Sequence, residues 1–139
     1  MVKVFNVDFE GEERKEYERL VLAARKIQRG RNVVFHGTRF PAEIIATNVL
    51  KAGRTGDRAI CFSRSPEVAA YWALMPRDVS GEMAGILVVD KNALKARYKL
   101  EPFHDECWDD CTSFRDEGEE RIWDRDVTDI ARLTMALVR

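Results

Sequence analysis

Along the chain, apolar residues first recur at helical spacing over residues 12–29. Tyr17, Leu20, Val21, Ala24 and Ile27 fall on one stripe, charge occupies the other faces, and Gly30 supplies a stop. The stripe predicts a helix that faces a core. The pattern then shortens to a β-branched and aromatic run at residues 32–35, a strand that delivers His36-Gly37-Thr38. A second amphipathic helix is expected over residues 42–50, and Gly53 and Gly56 mark a loop. Residues 59–63 read as a strand. Ser65 is a natural N-cap with Pro66 at the first helical position, and the helix behind it carries Val68, Ala69, Tyr71 and Trp72 before Pro76 ends it.

Residues 85–90 form the most strand-like segment, an unbroken apolar run suited to a central strand buried on both faces. Further strands are expected at residues 96–100, 119–123 and 133–138, with a long acidic, aperiodic loop over 103–118. Strands outnumber helices, and the helices crowd the first half of the chain. The plan is α+β, with two small, mainly antiparallel sheets and helices on one side.

Composition narrows the function classes. The 139 residues suit one domain over 1–139, an N-terminal helical element at 1–31 preceding a core at 32–139, and no repeat or linker divides it. Forty-five per cent hydrophobic and 34% charged residues exclude a collagenous, mucin-like or broadly disordered chain. A formal net charge of −1 offers no global positive field for coating duplex DNA. No apolar run is long enough to span a membrane, so no membrane partner is expected. Three cysteines and no signal-type apolar region predict a cytoplasmic protein with reduced thiols.

Three features carry candidate chemistry, each with a plainer structural alternative. His36-Gly37-Thr38 ends an apolar strand, where exposed backbone groups can hold an amide or a ribose; the alternative is a simple turn. Asp116-Glu117-Gly118-Glu119-Glu120 leads into Arg121, Ile122 and Trp123. On a strand, Glu120 and Ile122 share one face while Glu119, Arg121 and Trp123 share the other. A carboxylate facing a cleft there stabilises an oxocarbenium-like transition state, whereas a solvated acidic surface needs no site. The third is Ile60-Cys61-Phe62-Ser63-Arg64-Ser65 running into Tyr71 and Trp72, which is either one wall of a pocket, lined by Tyr71, or a capped helix with two core aromatics.

In this order the three features resemble the ADP-ribosyltransferase superfamily, particularly its small bacterial and phage-type members. The matching pieces are Phe35-His36-Gly37-Thr38, then Ile60-Cys61-Phe62-Ser63 with Ser65 and Tyr71, then Glu117-Gly118-Glu119-Glu120. The resemblance covers about residues 32–138, and residues 87–102 are also similar to those small members. It implies a split β-sandwich with flanking helices, NAD as substrate, no metal, and mono-ADP-ribosyl transfer to a macromolecular acceptor, a protein or a nucleic acid.

Position by position, the resemblance implies that His36 contacts the adenosine-side ribose and that Gly37, beside Thr38, holds the nicotinamide amide through its backbone. Tyr71 stacks on the nicotinamide ring, Ser63 and Ser65 support the pocket, and Arg64 reaches the pyrophosphate. Glu119 hydrogen-bonds the nicotinamide ribose and stabilises the developing cation, and Glu117 positions the acceptor. A one-residue slip would hand the catalytic role to Glu120.

Two positions depart from the family's branches. Cys61 stands where the polymerase-type branch has Tyr, and His36 where the toxin-type branch has Arg. Cys61 reads as a buried spacer or as a pocket thiol. His104, Cys107 and Cys111 lack a convincing fourth zinc ligand, and Trp108 and Phe114 read as an acceptor-recognition loop or as an apolar anchor. Two other functions fit the same features: a non-catalytic interaction module of this fold, and RNA 2′-phosphotransfer or plain NAD hydrolysis.

Overall fold

The computed structural model describes residues 9–53, 58–75, 84–103 and 118–139. Helix α1 spans Gly11–Gln28, and Gly30 beyond it adopts a φ of +68°. Its stripe behaves as the periodicity predicts, with Tyr17, Leu20 and Ala24 buried. Strand β1 (Val33–Thr38) follows, then α2 (Pro41–Thr47). Asn48 stops α2 early, in the left-handed region at φ 60°, so residues 49 and 50 leave the expected helix and form β2 (Val49–Leu50).

Strand β3 (Ala59–Ser63) leads into α3 (Pro66–Leu74) through the expected cap: the Ser65 hydroxyl accepts the Val68 N–H at 3.4 Å, and Pro66 opens the helix. Strand β4 (Gly85–Asp90) is the buried central strand that its apolar run predicts. The strand expected at 96–100 is not there. Asp90 instead caps α4 (Lys91–Arg97), its carboxylate accepting the Ala93 N–H at 3.0 Å. Lys95 and Arg97 in the last turn complement the helix dipole, Tyr98 beyond it turns extended, and strand pairing starts only at β5 (Glu101–Pro102). Strand β6 (Glu119–Trp123) lies where expected; β7 (Val127–Thr128), α5 (Ile130–Leu133) and β8 (Thr134–Val138) close the chain.

The α+β class is as expected, but the two sheets are unequal. One has six strands in the order β5-β6-β3-β1-β4-β8, all neighbours antiparallel, and the other is the pair β2-β7. Strand alternation sorts the apolar residues of the large sheet into two cores. Val33, Phe35, Ile86 and Val88 pack beneath α1 and α3; Val34, Leu87, Val89, Ile60, Phe62 and Ile122 pack with Leu94 of α4 and Ile130 of α5. Helices therefore cover both faces rather than one. Helix α1 is integral to the first core, and an Arg25–Glu67 ion pair joins it to α3. Among the described residues, no helix is long and apolar enough to cross a membrane.

Candidate functional site

The large sheet opens between β1 and β3. All six residues of β1 pair with β4, yet only Phe35 finds a partner in β3, Ser63. Extending that register by two residues would set Gly37 opposite Cys61. The strands diverge there instead, leaving a cleft of about 400 Å³. That volume is within the range of small-molecule sites.

Strand β1 supplies Phe35, His36 and Gly37 to the cleft, and β3 supplies Cys61, Phe62 and Ser63. Helix α3 roofs it with Val68, Ala69 and Trp72. Gly37 lets the helix come this close: a Cβ there would stand 1.9 Å from the Ala69 carbonyl oxygen. Across the opening, β6 contributes Glu119 and Arg121.

His36 bridges the gap. Its Nδ1 lies 2.9 Å from the Cys61 carbonyl oxygen, a group that only accepts, so Nδ1 carries the proton. Burial lowers the imidazole pKa below the usual 6.5, against the opposing pull of the Cys61 carbonyl. The ring is therefore neutral near pH 7, with Nε2 as a hydrogen-bond acceptor.

The two candidate glutamates of β6 part company. Glu119 faces the cleft, where Arg121 Nε lies 3.0 Å from its Oε1 and Nη2 3.4 Å from its Oε2. The Arg121 guanidinium in turn lies 3.6 Å from the Phe103 ring centroid and 5.2 Å from that of Trp123. Glu120 points to the other face and is buried in an ion pair with Lys91 at 2.9 Å, with Arg64 Nε at 3.8 Å. The β6 backbone is pinned on both sides: Arg64 N–H donates to the Gly118 carbonyl at 2.9 Å and Phe103 N–H to that of Glu119 at 2.9 Å. Gly118, at φ +59°, makes the turn into the strand.

Of the residues singled out in the sequence, His36, Gly37, Cys61, Ser63 and Glu119 meet at the cleft, Cys61 as an exposed lining residue rather than a buried spacer. The others serve the frame. The Thr38 hydroxyl accepts the Phe40 N–H at 3.0 Å, and Ser65 caps α3 while its Oγ donates to Glu67 at 3.0 Å. The Arg64 side chain extends largely into solvent. Tyr71 turns toward α1 and packs 5.9 Å from Phe9, so the cleft aromatic on α3 is its neighbour Trp72, 43% exposed. Trp72 belongs to the third sequence feature, where the stacking role falls to Tyr71, and Arg121 has no site role in the sequence pattern. Glu117, His104, Cys107, Trp108, Cys111 and Phe114 lie outside the described residues. Among the described residues, no group of three or more His, Cys, Asp or Glu could hold a metal ion.

Compared with family models, with curated proteins and with solved structures, the chain matches none.

Proposed function

We propose that this chain is an NAD-consuming ADP-ribosyltransferase that works in the β1–β3 cleft. The observation that carries the reading is the meeting of Glu119 with His36 and Gly37 across a sheet that splits at their strands. The groups present suit the substrate. Trp72 offers an aromatic face to a base or nicotinamide ring, His36 Nε2 offers an acceptor to a ribose hydroxyl, and the open edge of β1 at Gly37 offers backbone groups to an amide. In the reaction the bond between ribose C1′ and the nicotinamide nitrogen breaks, and nicotinamide leaves with the electron pair. Glu119 stabilises the oxocarbenium ion on the ribose. An acceptor nucleophile then bonds to C1′ and gives up its proton.

The test is nicotinamide release from NAD by wild type, Glu119→Gln and Glu120→Gln, each with and without cell extract as acceptor source. The expected result is release that rises with extract and falls roughly 100-fold or more in Glu119→Gln. Glu120→Gln, altered on the opposite face, keeps its turnover per folded molecule. Release indifferent to extract would make the protein a hydrolase. No release by wild type would overturn the reading.

One observation favours a second reading. Arg121 engages both oxygens of Glu119, which offsets the negative charge that a developing cation would need. A module of this shape that binds a nucleotide without cleaving it would show heat on titration with NAD and no nicotinamide.

A further inference from the structure

We propose that Arg121 is a positioning residue for Glu119, a role that rests on the reading of Glu119 as the group facing the ribose. Both side chains are nine-tenths buried or nearly so, at 9% and 10% exposed, and both line the cleft. Strand pleat alone sets them on one face at i and i+2, and it does not fix a carboxylate's plane. The guanidinium fork does so, with Nε on one oxygen and Nη2 on the other. Arg121 is itself held flat by the ring of Phe103 at 3.6 Å, the residue just after β5, with Trp123 two residues further along β6. The chain of support therefore runs from two aromatic rings to the guanidinium, and from the guanidinium to the carboxylate.

A carboxylate has about four lone-pair sites on its two oxygens. The fork uses one on each, and one on each remains for ribose hydroxyls. Arg121 need not touch the substrate to matter. Without it the Glu119 side chain regains rotamers that aim the carboxylate away from the anomeric carbon, and misplacement of about 1 Å costs on the order of 100-fold in rate. An ammonium group cannot replace the fork, because a point charge holds one oxygen and leaves the plane free.

The experiment measures steady-state nicotinamide release from NAD by Arg121→Lys, Arg121→Met and Phe103→Leu beside wild type and Glu119→Gln. Arg121→Met is repeated with added guanidine and with added ammonium. The expected result is a kcat lower by about 10- to 100-fold in both Arg121 variants, with KM for NAD within about threefold of wild type. Phe103→Leu, which keeps an apolar neighbour but removes the ring face, moves kcat the same way by a smaller factor. Guanidine restores Arg121→Met and ammonium does not. An Arg121→Met enzyme at wild-type kcat would overturn the proposal. So would a loss shared by kcat, KM and thermal stability that guanidine does not repair, since that marks a merely structural arginine. Wild type and Glu119→Gln report separately on the underlying reading: if neither releases nicotinamide, or both do so equally, that reading falls and takes this one with it.

Discussion

His36 Nδ1 donates to the Cys61 carbonyl oxygen at 2.9 Å, so a side chain crosses the sheet where the two backbones no longer pair. The contact gives the Cys61 carbonyl a side-chain donor and fixes the imidazole tautomer. It also ties cleft geometry to pH. Burial lowers the His36 pKa, so the unfolded chain takes up its proton first as pH falls. With more protons bound to the unfolded state, stability declines as pH drops through the ordinary value of 6.5 and levels off below the lowered folded value; above that window His36 contributes no slope. Urea melts of wild type and His36→Asn between pH 8 and pH 5 would measure this (asparagine Nδ2 can stand in for Nδ1–H). The wild-type loss on acidification should exceed the variant's. Parallel curves would refute a desolvated, neutral histidine.

Gly37 tests the contact between helix and split strand. An added Cβ would meet the Ala69 carbonyl oxygen at 1.9 Å and the Ala73 nitrogen at 3.0 Å, both backbone atoms of α3 that cannot swing aside. Gly37→Ala should therefore push α3 off β1 at a cost of about 3 kcal/mol or more. A denaturation midpoint equal to wild type would mean that α3 does not sit this tightly on the strand.

How much of this was legible depended on how local the signal was. The Ser65-Pro66 cap, the α1 stripe and the apolar run of β4 are written in neighbouring residues, and all three stand as the pattern reads. Alternation on β6 separated Glu119 from Glu120 without saying which face held a cleft, because that depends on where β1 leaves β3. Helix α3 misled for a physical reason. Val68, Ala69, Ala70, Ala73 and Leu74 are all buried, so it is apolar almost all round and has no stripe to tell Tyr71's side from Trp72's. Arg121 was visible on Glu119's face but drew no role. Its value comes from the Phe103 ring just beyond β5, a contact that no spacing rule reveals.

Lys91 and Glu120 give a prediction on the face of the sheet away from Glu119. The side chains are 17% and 5% exposed and meet at 2.9 Å, while Arg64 lies further off at 3.8 Å. Removing one partner of a buried pair strands the other charge. Lys91→Met should cost about 3 kcal/mol, and Lys91→Met with Glu120→Leu should recover most of it. Additive losses in that double-mutant cycle would show that the pair is not coupled.

The neighbours Tyr71 and Trp72 should separate stability from binding. Tyr71 lies half-buried between Phe9 and Trp72, at centroid distances of 5.9 Å and 5.2 Å, and belongs to the core shared with α1. Tyr71→Ala should lower stability by about 2 kcal/mol. Its affinity for NAD per folded molecule should stay near wild type, since the ring faces α1 and not the cleft. Trp72 lines the cleft and is 43% exposed, so truncating it removes little packed core. Trp72→Ala should leave the melting curve nearly in place and weaken NAD binding about fivefold, the loss of an aromatic contact worth about 1 kcal/mol. Calorimetric titration with NAD alongside urea denaturation reads both quantities. If Tyr71→Ala instead lost affinity and kept its stability, the aromatic wall of the site would be Tyr71, and the orientation of α3 described here would be wrong by a quarter turn, about 100° per residue.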